Sequence, residues 1–459
     1  MDEVKENKMG TMPTNRLLIT MSLPMIISML VQALYNIVDS IFVAQVDADQ
    51  YALAAVSLAF PVQSLMIAVA AGTGVGINAY LSKSLGMKNF EEANKTAHNA
   101  LFLTFLSWLA ALILGLTFVK LFYAFQTPTE AIRVYGYDYL SVILIFSLGL
   151  FFQITFERLL QSTGKTVYSM IMQGTGAVIN IILDPILIFG YFGFPALGAR
   201  GAAIATVIGQ IIAAALGLIF NIKFNKEINL SLKGFKPSGR IIKRIYSVGF
   251  PAIIMQSITS VMTLALNKIC YMFPENVAKN GVNVLGVYFK VQSFIFMPVF
   301  GLNNGMTPII AYNYGANHKK RIMSTMRLGF VMAVSYLAVG FLIFETMPEL
   351  LLKMFTENEE MINMGVTAFR EIAPAFIPAG FSIIIIATIQ ALGHGVYSMI
   401  VSICRQLVVL VPCAFLLAKI FKTINIMWIS FPIAEVVSLL LCLMFFRSVY
   451  QKTVRSLDD

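Results

Sequence analysis

Long apolar segments follow one another along almost the whole chain and limit what it can fold into. Twelve of them reach the roughly 20 mostly apolar residues that a membrane-spanning helix needs. Of the 459 residues, 58% are hydrophobic and 12% are charged, whereas soluble domains carry about 25% charged residues. We therefore predict an all-α integral membrane protein, with spans at approximately 17–46, 52–82, 97–120, 135–160, 167–190, 197–222, 246–273, 281–312, 322–346, 368–392, 396–419 and 424–447.

The basic residues between the spans orient the chain in the membrane. Of the 33 Lys and Arg residues, 22 lie in the tails and loops on the side of the N-terminus, and 8 lie on the opposite side. Because positive charge marks the cytoplasmic side, we expect both termini in the cytoplasm and the protein in a bacterial-type plasma membrane. The net charge of +10 is spread over these loops, so nucleic acid is not an expected partner.

An internal repeat divides the chain into two halves. The segments QSTGKTVYSMI at 161–171 and QALGHGVYSMI at 390–400 share the ending VYSMI and lie 229 positions apart. The same offset relates Gly72 to Gly301, Gly76 to Gly305 and Gly86 to Gly315. One period holds six spans, so both halves insert in the same orientation, as in parallel repeats related by an axis along the membrane normal. We predict an N-lobe at 1–222, a basic cytoplasmic linker at 223–245 and a C-lobe at 246–459.

Two aspartates inside apolar spans indicate the function. A carboxylate at the centre of a membrane costs about 2.5–3.5 kcal/mol, so a chain keeps one where it binds a proton, a metal cation or a substrate. Asp39 lies in the first span, and Asn180 and Asp184 share one face of the fifth because they are four residues apart. With Thr206 of the sixth span, Asp39 and Asp184 lie roughly 10 Å from the outer end at 1.5 Å per residue, and Asn180 lies about one turn deeper.

Oxygen ligands of this kind suit a hard cation, and two neighbouring carboxylates also favour a bound proton. We therefore predict a coupling site for H⁺ or Na⁺ at Asp39, Asn180, Asp184 and Thr206, with no other metal and no cofactor. The alternative is structural: each aspartate could cap a helix break, as next to Pro185, or pair with a base. Aspartates far apart, or facing lipid, would contradict the prediction.

Other polar residues of the N-lobe spans have two interpretations each. Gln32, Tyr35 and Asn36 lie on or near the Asp39 face. Together with Gln153, they either line a substrate cavity or bond neighbouring helices. Glu157 and Arg158, near the inner end of the fourth span, are expected to extend their charged ends towards water.

The second half has lost the acidic pair. The offset of 229 places Val409 and Cys413 at the positions of Asn180 and Asp184, so we expect ion coupling only in the N-lobe. Arg405 and Glu435 fall at similar depths in the last two spans and could form a structural ion pair. Lys290 is the alternative partner of Glu435, and all three are either structural or in contact with substrate.

The chain resembles the multidrug and toxic compound extrusion (MATE) family, in its DinF-like branch. The resemblance covers essentially the whole chain and is most specific in SLPMIISMLVQALYNIVDSIFV, NIILDPILIFG and GLNNGMTPIIAYNYGA. It implies two six-helix lobes forming a V, with inward cation flow driving export of amphiphilic, often cationic, compounds. The cation site of DinF-like members maps here onto Asp39, Asn180, Asp184 and Thr206. Pro24 matches the proline around which the first helix bends on protonation.

The expected function is therefore a cation-coupled exporter that works by alternating access. We expect a monomer whose partners are membrane lipid and a small amphiphilic substrate, and no enzymatic activity. One alternative is a flippase for lipid-linked precursors, which would need a basic cavity, although basic residues in the spans are few. The other is an intramembrane enzyme, which would need a nucleophile–base pair or a metal cluster, whereas the three His residues lie in or beside loops.

Overall fold

Helices form the whole described fold. The computed structural model describes residues 7–46 and 51–457, and this part of the chain contains no β-strand. Short 3-10 or π-helical segments lie at Tyr191–Gly193, Ala373–Ala375, Cys404–Leu410, Asn425–Ile429 and Tyr450–Val454. The α-helices are α1 (Lys8–Thr11), α2 (Thr14–Ala44), α3 (Tyr51–Gly86), α4 (Phe90–Thr117), α5 (Val119–Gln126), α6 (Glu130–Ile145), α7 (Leu148–Ser162), α8 (Thr166–Phe189), α9 (Ala199–Phe224), α10 (Gly239–Cys270), α11 (Glu275–Gly315), α12 (Lys319–Thr346), α13 (Pro348–Lys353), α14 (Glu359–Ile372), α15 (Phe376–Ala391), α16 (Gly395–Ile403), α17 (Val411–Phe421) and α18 (Ser430–Val449).

The helices confirm the predicted membrane topology. Eleven helical stretches in the described residues are long and apolar enough to span a membrane, and the pair α6 and α7, bent by 43°, makes a twelfth. The fourth predicted span is thus two helices. The tenth span joins α14 to α15, and the eleventh joins α16 to α17 through the π-helical segment. The fold is therefore all-α, and an even number of spans places the two ends of the described chain on the same side of the membrane.

The repeat seen in the sequence returns in the helix bounds. Both ends of α4 and α12 are related by the offset of 229, as are the C-terminal ends of α3 and α11 and the N-terminal ends of α8 and α16. Even the short helices α5 and α13 start at positions that differ by 229. The two six-helix lobes are therefore pseudo-symmetric. The predicted linker at 223–245 contains the end of α9 and the start of α10, and the domain boundaries themselves stay a prediction.

Glycines bring the two lobes into close contact in the cytoplasmic half of the membrane. A Cβ on Gly72 would lie 2.7 Å from the backbone N of Ile253, and one on Gly301 would lie 2.6 Å from Cα of Ile26. One helical turn further in, a second pair of glycines makes the same kind of contact: Gly76 abuts Ile245, and Gly305 abuts Ser22. The lobes are thus joined through α3 and α10 on one side and through α2 and α11 on the other.

Candidate functional site

Four polar side chains of the N-lobe meet between α2, α8 and α9. Asn180 Nδ2 donates to Asp184 Oδ1 at 3.3 Å and to Thr206 Oγ1 at 3.2 Å. Asp39 faces them from α2 and lies within electrostatic range of Asp184. Asp184 is fully buried, Asn180 is 3% exposed and Asp39 is partly buried. The structure thus brings together the four residues selected by depth, and the aspartates are not far apart.

Two glycines explain how α8 and α9 come close enough to form this pocket. A Cβ on Gly209 would lie 2.6 Å from the carbonyl oxygen of Gly176, and one on Gly176 would lie 2.9 Å from that of Gly209. Small residues allow such close helix approach inside a membrane. One turn along each helix, Asn180 and Thr206 are consequently within hydrogen-bond distance.

Three oxygen atoms of the pocket are buried without a hydrogen-bond partner among the described residues. They are Asp39 Oδ1, Asp184 Oδ2 and Asn180 Oδ1. Buried polar atoms are normally satisfied, and carboxylate and amide oxygens only accept hydrogen bonds or bind cations. The chemistry of this donor set therefore fits a proton or a single hard cation. No group of three His, Cys, Asp or Glu side chains suited to a metal occurs in the described residues.

A layer formed by the side chains of Tyr35, Gln32 and Gln173 lies next to the aspartates, on the side towards the N-terminal ends of α2 and α8. The Tyr35 side chain is hydrogen-bonded to Gln32 and lies within electrostatic range of both aspartates. Gln32 Oε1 in turn accepts a hydrogen bond from Gln173 Nε2 at 3.3 Å. Gln32 and Tyr35 therefore bond neighbouring groups of the N-lobe, one of the two interpretations open from the sequence. Their contact with substrate stays a prediction.

Three residues of the pocket environment were not selected from the sequence. Gln173 lies seven residues before Asn180, so helical spacing could have placed it on the same face of α8. Tyr139 of α6 is hydrogen-bonded to Gln63 of α3 and lies within electrostatic range of Asp39. Nothing in the sequence fixes how α3 and α6 are rotated about their axes, so the sequence gives no indication that Gln63 and Tyr139 lie near the pocket.

The remaining candidates for the substrate cavity lie in different surroundings. Asn36 is exposed on α2. Gln153 is partly buried on α7, and its Oε1 has no hydrogen-bond partner among the described residues. Neither is bonded to the four pocket residues, and their role in binding substrate stays a prediction.

Pro24 lies inside α2, which continues through it without interruption. A proline has no N–H, so the carbonyl four residues earlier loses its helical partner. That carbonyl belongs to Thr20, and it accepts a hydrogen bond from Thr166 Oγ1 of α8 at 3.4 Å. The proline thus exposes a backbone acceptor that links α2 to α8, while bending at Pro24 stays a prediction.

The three polar candidates of the C-lobe separate in the structure. Arg405 Nη1 and Glu435 Oε1 form an ion pair at 2.6 Å. Lys290 is exposed, and its ammonium lies 5.9 Å from the ring centre of Phe355. Glu435 is therefore paired with Arg405 and not with Lys290.

The expectation that Glu157 and Arg158 extend towards water is wrong. Both residues are only 9% exposed. Glu157 Oε1 accepts from Gln161 Nε2 at 2.7 Å, and Arg158 Nη1 donates to Gln161 Oε1 at 2.8 Å and to Asn304 Oδ1 at 3.1 Å. Met25 of α2, Gly74 of α3 and Asn304 of α11 pack against this end of α7, so these residues are held inside the protein.

Twelve spans in two pseudo-symmetric lobes, with a buried polar pocket in one of them, define a multi-pass membrane transporter rather than an enzyme. The MatE family model matches the chain twice, over residues 24–186 and 251–416, once in each lobe. The chain therefore belongs to the MATE family of transporters.

Individual relatives cover almost the whole chain. It is 26% identical over 416 residues to the multidrug export protein MepA of Staphylococcus haemolyticus, covering 91% of this chain and 89% of that protein. It is 27% identical to MepA of Staphylococcus saprophyticus, covering 91% and 90%. A solved outward-facing structure of a multidrug resistance MATE transporter of the MOP superfamily superposes with a TM-score of 0.91 at 23% identity, covering 99% of this chain and 100% of that one. This last likeness is one of fold.

Proposed function

We propose that this protein is a cation-coupled antiporter that exports amphiphilic, cationic compounds by alternating access. The observation that carries the proposal is the pocket of Asp39, Asn180, Asp184 and Thr206. It places two carboxylates within electrostatic range of each other inside the N-lobe. Burial and like charge both disfavour leaving the pair doubly ionised. A proton or a sodium ion that binds in the pocket therefore lowers the electrostatic free energy of the two buried carboxylates.

The position of α2 couples this pocket to the arrangement of the lobes. On one face α2 carries Asp39, and on another its residues Ser22 and Ile26 pack against Gly305 and Gly301 of α11. Binding of a cation in the pocket changes the electrostatic forces on α2, and α2 also forms one of the main contacts between the lobes. A ligand shifts a conformational equilibrium by as much as its affinities for the two states differ. The pocket is therefore well placed to bias an inward-open against an outward-open form.

Support for the substrate class comes from the relatives and from the charge of the pocket. The matched staphylococcal proteins are multidrug export proteins. In the N-lobe, the buried acidic groups attract a positively charged compound when they are ionised and release it when a cation neutralises them. The flippase alternative has less support, because a pyrophosphate needs several free basic groups and Arg405, one of the few basic residues in the spans, is already paired with Glu435.

The test is transport in proteoliposomes with a pH gradient and a Na⁺ gradient imposed separately. A fluorescent lipophilic cation, ethidium, serves as the probe. We expect one of the two gradients to drive ethidium movement, and Asp39→Asn to abolish the driven component while the protein still folds. Asp138→Asn, in an aspartate of α6 outside the pocket, is the matched control and keeps wild-type rates.

Two results would refute the proposal. One is undiminished gradient-driven transport by Asp39→Asn. The other is ethidium movement by the wild type that responds to neither gradient.

A further inference from the structure

Four basic side chains from four different segments lie near one another at the cytoplasmic ends of the helices. Lys83 of α3 is within electrostatic range of Arg244 of α10 and of His394, in the turn between α15 and α16. His394 is also within electrostatic range of Lys452, in the π-helical segment after α18. We call these four residues the basic cluster. Nothing in the function proposed above uses it.

Close helix contacts bring the cluster together across the boundary between the lobes. A Cβ on Gly315 of α11 would lie 2.1 Å from the carbonyl oxygen of Lys83. A Cβ on Gly395, the residue after His394, would lie 2.7 Å from Cα of Val248 on α10. Because α3 is a helix of the N-lobe and α10, α11 and α16 are helices of the C-lobe, the cluster has members on both sides of the boundary.

Two tyrosine rings support the cationic ends of the cluster. Lys83 Nζ lies 4.3 Å from the ring centre of Tyr314, and Arg244 Cζ lies 5.5 Å from that of Tyr80. Such contacts attract a cation to the face of a ring. They supply no negative charge, so the N–H donors of both side chains keep their positive charge for a further ligand.

The charges at the centre of the cluster are not balanced by acids. Among the described residues, the charged groups that act on Lys83 and His394 are all basic. Burial lowers the pKa of His394, and the two neighbouring lysines lower it further. Glu92 of α4 is already bonded to Arg240 at 2.7 Å and to the hydroxyl group of Tyr80. Like charges held together in this way repel each other, and a bound anion would remove that repulsion.

The equivalent turn of the N-lobe has an acid that the C-lobe lacks. The offset of 229 relates His394 to Lys165, in the turn between α7 and α8. There the carboxyl group of Glu227 lies within electrostatic range of Lys165. The same offset puts Ser456 at the position of Glu227. An anion from outside the protein would therefore fill, in the C-lobe, the electrostatic role that Glu227 has in the N-lobe.

The exposure and depth of the cluster suit a phosphate group. Lys83 and His394 are partly buried, whereas Arg244 and Lys452 are exposed, so the cluster is open on one side. Lys83 lies three residues before the end of α3 and Arg244 five residues after the start of α10, roughly 5 and 8 Å from the helix ends. Headgroups of anionic phospholipids lie at this level of the inner leaflet, and basic pockets between helices on that side bind them.

We propose that the basic cluster binds one negatively charged phosphate group, carried by an anionic phospholipid of the inner leaflet or by free inorganic phosphate. Lys83 and Arg244 contact it from the two sides of the lobe boundary through charge-assisted hydrogen bonds. His394, whose Nε2 is hydrogen-bonded to Thr453 Oγ1 at 3.0 Å, and Lys452 complete the site. The phosphate thus links α3 to the C-lobe and favours the form whose cytoplasmic face is closed. Ion coupling is not required for this binding.

The test titrates the full chain in detergent with dioleoylphosphatidylglycerol, with dioleoylphosphatidylcholine and with inorganic phosphate, and reads apparent affinity from the rise in melting temperature. We expect phosphatidylglycerol or inorganic phosphate to bind at least tenfold more tightly than zwitterionic phosphatidylcholine. The double variant Lys83→Gln with Arg244→Gln should weaken this binding at least tenfold, and Lys83→Arg with Arg244→Lys should stay within threefold of wild type. Lys223→Gln with Lys226→Gln removes two exposed charges near the end of α9 and is the matched control.

A second measurement examines the link between the lobes. Spin labels at the inner ends of α4 and α12 report the opening of the cytoplasmic face by double electron–electron resonance. Addition of the probe that binds should reduce the longer distances in the wild type and leave the distribution of the double glutamine variant unchanged.

The two phosphate probes identify the source of the ligand. Stabilisation by phosphatidylglycerol alone assigns the site to a lipid headgroup, and stabilisation by inorganic phosphate beyond that of sodium chloride at equal ionic strength assigns it to the free anion.

The proposal is overturned if neither probe stabilises the wild type in this way. It is also overturned if the double glutamine variant binds as tightly as the Lys223 and Lys226 control, because the attraction is then general to the basic face. Equal loss in the charge-conserving variant would make the two side chains structural. Binding without a change in the spin-label distances would refute the link between the lobes.

Discussion

At the scale of single residues, Thr206 is a neutral side chain through which the proposed cation site can be tested. Its hydroxyl oxygen accepts one of the two hydrogen bonds from Asn180, and the other goes to Asp184. Loss of a buried hydrogen-bond partner costs about 1–3 kcal/mol, and 1.4 kcal/mol is a factor of ten in affinity. We predict that Thr206→Val raises the KM for the coupling cation roughly tenfold with a smaller change in kcat, because the amide no longer has a fixed orientation.

The matched control for this change is Thr206→Ser, which keeps the hydroxyl and loses a methyl group. The measurement is the transport rate in proteoliposomes as a function of cation concentration. Equal KM values for the valine and serine variants would show that the hydroxyl has no part in the site.

A second residue, Glu227, lies outside the membrane and makes a prediction about pH. Burial raises the pKa of its carboxyl group above the ordinary value, and the hydrogen bond from Asn7 and the charges of Lys165 and Lys8 oppose this only in part. A carboxyl group whose pKa is raised by folding favours the folded state below its unfolded pKa of about 4.3. This contribution is lost as the pH rises through the raised value.

We therefore predict that the wild type loses more thermal stability than Glu227→Gln between about pH 4.5 and pH 7. Melting temperatures in detergent at several pH values measure this, with Glu91→Gln, in an exposed acid of α4, as the control. Parallel pH curves for Glu227→Gln and wild type would contradict the prediction.

At the scale of helices, the contacts between the lobes depend on glycines that no larger residue can replace. A Cβ on Gly76 would lie 2.1 Å from the carbonyl oxygen of Ile245, which is backbone and cannot rotate away. Over-packing of this kind costs about 1–3 kcal/mol. We predict that Gly76→Ala lowers the melting temperature and makes the cytoplasmic ends of α3 and α10 more reactive towards thiol reagents at introduced cysteines.

Gly174 of α8 is the matched control, since a Cβ there would meet nothing within 4 Å. In a helix, Gly→Ala at an open position stabilises by roughly 0.5–1 kcal/mol, so Gly174→Ala should melt no lower than wild type. If Gly76→Ala behaves like Gly174→Ala, the contact between α3 and α10 yields easily and does not hold the lobes together.

Helical spacing and depth made part of the site predictable, and the rotation of helices limited the rest. Asn180 and Asp184 were found because a spacing of four residues fixes one helix face whatever surrounds it. The sequence did not indicate Tyr139, and it led to the wrong expectation that Glu157 extends towards water. The surroundings of both residues depend on which faces of α6 and α7 turn inward. The apolar spans of this chain are hydrophobic nearly all round, so periodicity does not reveal that rotation. The fold itself was predictable because the repeat and the charge of the loops act over the whole chain.

At the scale of the whole molecule, the lobes share one architecture but not one chemistry. The offset of 229 relates helix bounds and packing glycines in both halves. At the positions of Asn180 and Asp184, however, the C-lobe has Val409 and Cys413, and its partly buried charges Arg405 and Glu435 neutralise each other as an ion pair. If ion coupling resides in the N-lobe alone, each conformational change must pass from that lobe to its partner through their common contacts.

One of these contacts is the short segment at the N-terminus, which bridges the two lobes on the cytoplasmic face. Arg321 Nη2 of the C-lobe donates to the carbonyl oxygens of Met9 and Met12 at 3.0 and 2.7 Å. On the other side, Asn7 Nδ2 donates to the carbonyl oxygen of Thr163 at 3.1 Å. Met9 is fully buried between them. Separation of the lobes on this face has to break one of the two sets of bonds.

We therefore predict that Arg321→Gln shifts the conformational equilibrium towards the inward-open form. The guanidinium holds two carbonyl oxygens and Asn313 at once, and hydrogen bonds to charged groups contribute about 1.5–3 kcal/mol. Loss of 1.4 kcal/mol already changes the ratio of the two forms about tenfold. Distances between spin labels at the inner ends of α4 and α12, measured by double electron–electron resonance, should gain a longer component. Arg16→Gln, in an exposed arginine of α2, is the control, and a distance distribution for Arg321→Gln identical to that of the control would show that the segment merely covers the closed face.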